Sequence, residues 1–247
     1  MLSMTGAIRD CVLLSYRVPT EAVAGLVPRG LEPVAHGGFA FWNIVACRIE
    51  RMRPAGLPGF VGMSYHHVAY RLHVRAAAAD GRMLDGLYFV RSDADSTLVS
   101  WGGNLFSDFC FHVATIRLEP REGGLRLEVA GSAGGLGDAR FTAVPAAGDD
   151  PAPGSCFADR RQRESVLKYR PVGLAPTADG STAKLAEVFR DESAWREEPL
   201  AVTESDWPLF RALQQPEPFL ERATRVAPLP YRWRLGRREP LAGSSPH

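Results

Sequence analysis

The longest segment with strand-like alternation, Ser64–Arg75, constrains the fold most strongly. Side chains in a β-strand point alternately to the two faces of a sheet. One face of this segment is mostly polar and carries Tyr65, His67, Ala69, Arg71 and His73. The other face is mostly apolar and carries His66, Val68, Tyr70, Leu72 and Val74. The pattern predicts a strand with its apolar face on a core, while the polar face either lines a pocket or meets solvent.

Strands predominate along the rest of the chain. Apolar or alternating runs predict strands at Asp10–Tyr16, Phe39–Ile49, Leu87–Arg91, Phe109–Leu118, Leu125–Val129 and Ser165–Arg170. Short helices are predicted after Pro19, where Thr20 can cap, and from Thr97 to Leu105, and a clearer one over Ser181–Arg190. Turn signals recur between these segments. The succession predicts a mainly β (α+β) fold, an antiparallel barrel-like sheet with a few peripheral helices.

Length and charge limit the organisation and the partners. The chain has 247 residues, enough for one sizeable core, and we interpret residues 1–240 as a single domain. The Gly-, Ala- and Pro-rich stretch 131–159 is interpreted as a flexible insertion and 241–247 as a disordered tail. A formal net charge of +1 argues against nucleic acid and anionic membranes as partners. No apolar run reaches the roughly 18 residues of a transmembrane helix.

The four cysteines, Cys11, Cys47, Cys110 and Cys156, are widely spaced and form no C-x-x-C pair. The first ten residues lack the basic and apolar regions of a secretory signal. Both features favour a reduced, cytoplasmic protein over a disulfide-bonded one.

Several segments, taken in order, resemble the acetoacetate decarboxylase-like superfamily, and above all its uncharacterised bacterial branch, the YqjF-like domain of unknown function. The matching landmarks are Ser15–Val23, Leu26–Glu32, Tyr65–Val74, Leu87–Asp95, Lys168–Gly173 and Asp206–Leu209. They span roughly residues 9–210, although 120–160 aligns poorly. The resemblance implies a double-sheet, cone-shaped β-barrel that encloses a small-molecule pocket.

The resemblance also implies positions for the site. In the decarboxylase a lysine forms a Schiff base with the substrate, a second lysine lowers its pKa, and an arginine and glutamates organise the cavity. By alignment, the arginine corresponds to Arg9 and the glutamate of the central strand to His67. A second glutamate corresponds to Asn104. The reactive lysine falls on or beside Cys110, and its neighbour on Phe111.

Imine chemistry is therefore not expected in this chain. A Schiff base needs an unprotonated amine. The sequence contains only two lysines, Lys168 and Lys184. The first shares a strand face with charged residues and is interpreted as solvated, and the second is placed on an ordinary amphipathic helix.

One candidate for the remaining chemistry is the run Asp108-Phe109-Cys110-Phe111-His112. In a strand, Asp108, Cys110 and His112 share one face, and a cysteine near a histidine can form an activated thiolate. Residues two apart on a strand are nevertheless about 7 Å apart and need not touch. Packing or pocket lining is the alternative, because cysteine is often an inert buried residue.

The second candidate is the polar face of Ser64–Arg75. Inside a barrel, Arg71 could clamp a carboxylate, His67 or His73 could act as acid or base, and Tyr65 could line the site. The same residues on a solvent face would carry no function. Arg9 has the same two interpretations, anion anchor or surface residue. No metal site is predicted, although His67 and His112 could converge from different strands.

Taken together, the sequence predicts an enzyme of lyase, isomerase or hydrolase type acting on a small organic acid or carbonyl compound by acid–base and electrostatic catalysis, without a cofactor. The proposed proton carrier is His67 or His112, with Arg9 or Arg71 as anchor and Cys110 and Asn104 at the reacting centre. The alternatives are a non-catalytic ligand-binding protein, or an accessory protein that binds partners through aromatics near Trp207 and in the tail from Pro216. A homo-oligomer is left open.

Overall fold

The computed structural model describes residues 2–106, 109–121, 124–168 and 170–242. Strands make up most of this part of the chain. They are β1 (Leu2–Pro19), β2 (Glu32–Pro33), β3 (Ala35–His36), β4 (Phe39–Pro54), β5 (Met63–Ala77), β6 (Met83–Ala94), β7 (Phe111–Val113), β8 (Thr115–Arg121), β9 (Gly124–Ala130), β10 (Ala139–Pro145), β11 (Val172–Pro176), β12 (Thr182–Phe189), β13 (Glu197–Asp206), β14 (Phe219–Val226) and β15 (Leu229–Pro240). The helices are α1 (Thr97–Phe106), α2 (Arg160–Val166) and α3 (Pro208–Ala212).

Strand β1 joins the two halves of the architecture because it is long enough to pair with three other strands. One edge pairs antiparallel with β4 over nearly its whole length. The opposite edge pairs first with β15, through Leu2–Ile8, and then with β14, through Cys11–Arg17. In the described part of the chain, β1, β4, β5, β6, β11, β12 and β15 thus close into a ring of seven strands. The resulting barrel confirms the predicted fold class.

A second sheet extends from β1 through β14, β13, β10, β9 and β8. Apolar residues of this sheet, including Leu127 and Phe141, are buried in one cluster with Leu14, Ile44 and Leu72 of the ring. The main core therefore lies between the two sheets, on the outer face of β1, β4 and β5. Their inner face belongs to a separate cluster around Cys47 and Tyr65.

Several local predictions are confirmed. Strand β5 covers Ser64–Arg75, and its Val68, Tyr70, Leu72 and Val74 lie in the main core. Helix α1 begins where predicted, and the Ser96 hydroxyl accepts a hydrogen bond from the Val99 N–H at 3.3 Å. The turn after Pro19 is a short 3-10 helix, and its cap involves no side-chain hydrogen bond, so the predicted Thr20 cap is wrong.

The predicted helix over Ser181–Arg190 is wrong, because these residues form β12 between β11 and β15. Ala183 and Leu185 enter the core, while Lys184 lies between them on the other face, an alternation that suits a strand. Two flanking strands supply backbone partners, and this pairing outweighs helix propensity. The predicted strand Ser165–Arg170 is also wrong. Helix α2 overlaps its start and is capped by Asp159, whose carboxylate accepts from the Gln162 N–H at 2.7 Å.

The stretch 131–159 contains β10, which pairs with both β9 and β13. Asp149, four residues after β10, accepts hydrogen bonds from Arg163 and Arg222, each at 2.7 Å, and so links this stretch to α2 and β14. Its interpretation as a flexible insertion stays a prediction.

Trp207 is buried, and its indole N–H donates to the Tyr16 hydroxyl at 2.8 Å. Most of the segment after Pro216 belongs to β14 and β15. The proposed docking aromatics near Trp207 are thus core residues, which corrects the basis of the accessory-protein alternative. No helix in the described residues is long and apolar enough to cross a membrane.

Candidate active site

A cavity of about 520 Å³ lies on the inner face of the seven-stranded ring. All seven strands contribute to its wall, and α1 and the segment 109–111 add to it. Its volume falls within the range of pockets that bind drug-sized ligands.

Aromatic side chains form much of the wall. The rings of Phe89 and Phe109 stack with centroids 3.8 Å apart, and His67 stacks on Phe111 with centroids 5.1 Å apart. Tyr231 and Trp233 of β15 pack together on the opposite strand of the ring. A ligand in this cavity would therefore bury apolar surface on most sides.

A small polar group interrupts the apolar wall. Cys47 on β4 lies directly opposite His67 on β5. Side chains paired in this way have Cβ atoms about 4.5–5.5 Å apart. Cys11, from β1, lines the same part of the cavity. Two thiols and an imidazole therefore meet on one stretch of wall.

A bulge in β1 brings Cys11 to this place. Arg9 pairs with Arg48 and Val12 with Ala46, so Asp10 and Cys11 together face the single residue between them on β4. Asp10 has φ of 46°, in the left-handed region that ordinary residues seldom occupy. The extra residue shifts the alternation of the strand, so that both Ile8 and Cys11 point into the cavity.

The two thiols differ in acidity. A hydrogen bond from Cys11 lowers the pKa of the Cys47 thiol well below its ordinary value, and His67 and Arg71 lower it further, although burial opposes them. The pKa of Cys11 is raised, first by the same hydrogen bond and then by burial. Since the Cys11 hydrogen bond and the Arg71 guanidinium both lower the pKa of Cys47, it is the more acidic member of the pair.

Arg71 supplies the main positive charge in the cavity. It is 6% exposed, and its guanidinium donates to the Asn43 side-chain oxygen. Its Nε is buried without a hydrogen-bond partner, and no ion pair joins it to a carboxylate in the described residues. A guanidinium stays charged in proteins, and a buried charge is costly unless it is paired. The site therefore has unused capacity for an anion.

A second arginine, Arg170, also lines the cavity and pairs with Asp85 at 3.0 Å. Burial, together with Arg170 and Arg71, lowers the pKa of His73 to about 3. His73 is thus neutral at physiological pH. Tyr65 lines the cavity nearby, and burial raises the pKa of its hydroxyl, which stays protonated.

Of the predicted site residues, Tyr65, His67 and Arg71 line the cavity. Arg9 does not: it is exposed and pairs with Glu50 at 2.6 Å. The physical reason is the bulge at Asp10: in a regular strand Arg9 and Cys11 would share a face, whereas here Cys11 lines the cavity and Arg9 does not.

The predicted common face of Cys110 and His112 does not form, because the strand is interrupted at Cys110. Cys110 has φ of 51°, and its side chain is exposed, while its neighbours Phe109 and Phe111 line the cavity. His112 is half-buried outside the cavity lining, with Nδ1 3.4 Å from the Ser92 carbonyl oxygen. Asp108 lies outside the described residues.

Asn104 also lies outside the cavity lining, at the exposed end of α1. Its side-chain amide donates to the Phe111 carbonyl at 2.8 Å and accepts from the Phe111 N–H at 2.6 Å. A Cβ on Gly103 would lie 2.4 Å from the Phe111 ring, so α1 and this ring pack closely. Asn104 therefore positions the ring on which His67 stacks.

Cys11, Cys47 and Arg170 were missed as site residues. Alternation in Phe39–Ile49 could have assigned Cys47 to one face of its strand. That Cys47 faces His67 depends on the register between β4 and β5, which the alternation does not give. Neither lysine lines the cavity. Lys168 is exposed, and Lys184 lies on β12 beyond the lining residues Ala186 and Val188. No cluster suited to a metal ion was found among the described residues.

Comparison with known proteins links the chain to one family. The model of DUF2071, described as an uncharacterized conserved protein, matches residues 5–220. No curated protein matches the sequence significantly.

Solved structures with the same fold include an acetoacetate decarboxylase-like enzyme from Sphingomonas wittichii RW1, with a TM-score of 0.58, 16% identity and coverage of 97% of this chain and 92% of that one. The enduracididine biosynthesis enzyme MppR, complexed with the condensation product of pyruvate and imidazole 4-carboxaldehyde, has a TM-score of 0.59, 14% identity and coverage of 99% and 91%. Acetoacetate decarboxylase from Legionella pneumophila has a TM-score of 0.56 and 13% identity, and the match covers 98% of this chain and 88% of that one.

Proposed function

Because this chain belongs to the DUF2071 family and has the acetoacetate decarboxylase-like fold, we propose that it is an enzyme acting on a small organic acid or carbonyl compound. The reaction is of lyase, isomerase or hydrolase type and uses acid–base and electrostatic catalysis without an imine. The observation that carries the proposal is the buried Arg71, which has no carboxylate partner in the described chain and shares an apolar cavity with His67.

Arg71 acts as the anchor. A ligand carboxylate or polarised carbonyl oxygen would accept from the unused guanidinium N–H and neutralise the buried charge. The aromatic wall would hold the apolar body of the ligand. MppR, of the same fold, binds a pyruvate-derived product, and pyruvate in another structure, which supports an oxo acid as the ligand class.

His67 moves the proton. Its Nε2 is buried and has no oxygen or nitrogen partner in the described residues, so it is available to a ligand. Stacking on Phe111 holds the ring, and Asn104 in turn holds Phe111. A general base at this position would remove a proton α to a carbonyl whose developing negative charge Arg71 stabilises.

The proposal excludes a Schiff base because neither Lys168 nor Lys184 lines the cavity. Borohydride treatment in the presence of a 2-oxo acid, followed by peptide mass analysis, tests this point. We expect no reduced adduct on either lysine, and such an adduct would contradict the proposal.

Proton exchange tests the acid–base role. We expect the protein to catalyse exchange of the C3 protons of 2-oxo-4-phenylbutanoate with deuterated water, followed by NMR. His67→Gln should lower the exchange rate by about 10²–10⁴-fold, the usual contribution of a general base. Arg71→Met should raise KM, and Arg9→Met, which removes an exposed arginine, serves as the matched control.

The second candidate is a non-catalytic ligand-binding protein, favoured by the mostly apolar wall. Arg71-dependent binding without any proton exchange by the wild-type protein would select it. Binding that is indifferent to both Arg71 and His67 would exclude both candidates at this site. The cytoplasmic location and the homo-oligomer remain sequence predictions within this proposal.

A further inference from the structure

The proposed acid–base reaction leaves the thiol pair in the cavity without a role. Cys47 and Cys11 both line the wall, and Cys47 faces His67 across the β4–β5 pairing. A buried cysteine is ordinarily an inert apolar residue. Three features separate Cys47 from that ordinary case: a second thiol, a facing imidazole and a nearby guanidinium that has no carboxylate partner among the described residues.

The placement of Cys11 depends on an unusual backbone. Without the bulge at Asp10, strict alternation from Ile8 would turn Cys11 outward, away from Cys47. Asp10 keeps a left-handed φ of 46°, and its carboxylate accepts from Arg225 at 3.2 Å. Left-handed residues other than glycine cost free energy and often occur at functional sites.

The surroundings of Cys47 favour a thiolate. The groups whose charge or hydrogen bonding acts on the thiol pair are Cys11, His67, Arg71, Tyr65 and Glu197. Tyr65 stays neutral, and Glu197 acts on Cys11 and also accepts from the Trp195 indole N–H at 2.7 Å. Arg71 lowers the pKa of both thiols, whereas the Cys11 hydrogen bond and His67 lower the pKa of Cys47. The thiolate is the nucleophilic form of cysteine.

We propose that Cys47 is a nucleophile that adds reversibly to the carbonyl carbon of an aldehyde or ketone ligand bound in the cavity. This inference rests on the proposed function, since it uses the same ligand class and the same anchor. The thiol proton passes to His67, and a sulfur–carbon bond forms. The π pair of the carbonyl moves to oxygen and takes the proton back from His67, so that thiol and carbonyl give a hemithioacetal or hemithioketal.

This step gives the cavity a covalent carbonyl chemistry that needs no amine. Arg71 stabilises the oxyanion before it is protonated. Cys11 is a positioning residue, because its S–H donates to the sulfur of Cys47 and keeps it ionised and oriented. The reverse step releases the ligand unchanged, so the adduct serves as a holding or activated state rather than a redox product.

The adduct can be observed directly. The reduced protein is mixed with 3-phenylpropanal carrying ¹³C at the carbonyl, and ¹³C NMR is recorded. We expect a protein-bound resonance for a tetrahedral carbon bearing sulfur, distinct from the aldehyde and from its hydrate. It should disappear in Cys47→Ser and Cys47→Ala, and it should persist in Cys110→Ser, which changes an exposed cysteine outside the cavity lining.

A second measurement uses the wild-type protein, so that its result does not depend on whether the variants fold. The rate at which iodoacetamide alkylates each cysteine is measured as a function of pH, and the modified residues are identified by mass analysis. For Cys47 this rate should rise with pH and reach its plateau by neutral pH. The aldehyde should slow this alkylation without slowing that of Cys110. Cys11→Ser should move the midpoint of the alkylation profile to higher pH, a change that a merely structural role for Cys11 would not produce.

The outcomes separate this inference from the proposed function. Arg71-dependent binding of the aldehyde or of oxo acids without the sulfur-bound resonance would overturn the nucleophile and leave the proposed function standing. The nucleophilic role of Cys47 would also be overturned by an adduct that forms in both Cys47 variants, or by an adduct that borohydride reduction shows to be attached to a lysine. If the wild-type protein binds none of these ligands, both the nucleophilic role of Cys47 and the proposed function are contradicted.

Discussion

The two faces of the β1–β4–β5 sheet differ sharply although the same strands build both. On the outer face Leu14, Ile44 and Leu72 are fully buried against the second sheet. On the inner face Cys47, His67 and Arg71 surround a cavity of about 520 Å³. The outer face is covered by another layer, whereas the inner face is closed by the ring itself, which leaves space at its centre. Stability therefore depends mainly on one face and chemistry on the other.

Two adjacent leucines test this division most strongly. Leu14 is buried in the core and Leu13 lines the cavity. We expect Leu14→Ala to lower the free energy of unfolding by about 3–5 kcal/mol, because it opens a void in a packed core. Leu13→Ala should cost about 1–2 kcal/mol, since part of its surface already faces open space. Urea unfolding measures both, and equal losses would show that the inner face is packed like the outer one.

The next largest effect is expected at Arg71, where function and stability should move in opposite directions. Arg71→Met should weaken carboxylate binding by about 1.5–3 kcal/mol, the contribution of a hydrogen bond to a charged group. It should leave the free energy of unfolding unchanged or increase it, because the buried guanidinium has no carboxylate partner among the described residues. Calorimetric titration with 4-phenylbutanoate and thermal unfolding check the two parts. A large loss of stability would mean that Arg71 is a structural residue.

His73 adds a pH dependence to the inner face. Its folded pKa of about 3 lies below the ordinary value of 6.5, so at acidic pH the unfolded chain binds a proton that the folded chain does not. Stability should therefore fall as pH drops through the window from 6.5 to 3, by about 1.5 kcal/mol between pH 6.5 and pH 5. His73→Leu should remove this slope, and His66→Leu, in a half-exposed position, serves as the control. A wild-type slope that persists in His73→Leu would refute the assignment.

The smallest expected effect concerns the aromatic wall. Each methylene added between a phenyl ring and a carboxylate should improve binding by about 0.8 kcal/mol, or roughly fourfold, until the cavity is filled. A series from phenylacetate to 5-phenylpentanoate, measured by calorimetric titration, provides the comparison. Affinity that is independent of chain length would place the ligand outside the apolar wall.

Short-range patterns in the sequence predicted some of the strands and helices correctly. The alternation of Ser64–Arg75 was sufficient to separate Tyr70 and Leu72 from His67 and Arg71, because a strand alternates whatever surrounds it. The helix predicted from Thr97 to Leu105 depends on similarly local contacts, because the Ser96 hydroxyl accepts from the Val99 N–H at the start of α1. The resemblance to the acetoacetate decarboxylase-like superfamily supplied the barrel, and the solved structures that share its fold confirm this architecture.

Other residues could not be placed in this way. Arg9 and Cys11, two residues apart, lie on opposite faces because one extra residue at Asp10 reverses the alternation between them, and the sequence carries no glycine there to signal it. The same kind of left-handed residue at Cys110 interrupted the strand predicted over Phe109–Leu118. An alignment without gaps does not register such bulges.

By itself the sequence determined the predominance of strands, the amphipathic central strand and the scarcity of amines, since these depend on composition and on neighbours along the chain. Only the tertiary structure decided that Cys47 faces His67, that Cys11 joins them and that Arg71 has no carboxylate partner in the described chain. These are relations between strands far apart in sequence, and they follow from register and bulges. A shift of one residue would turn each of these side chains to the opposite face.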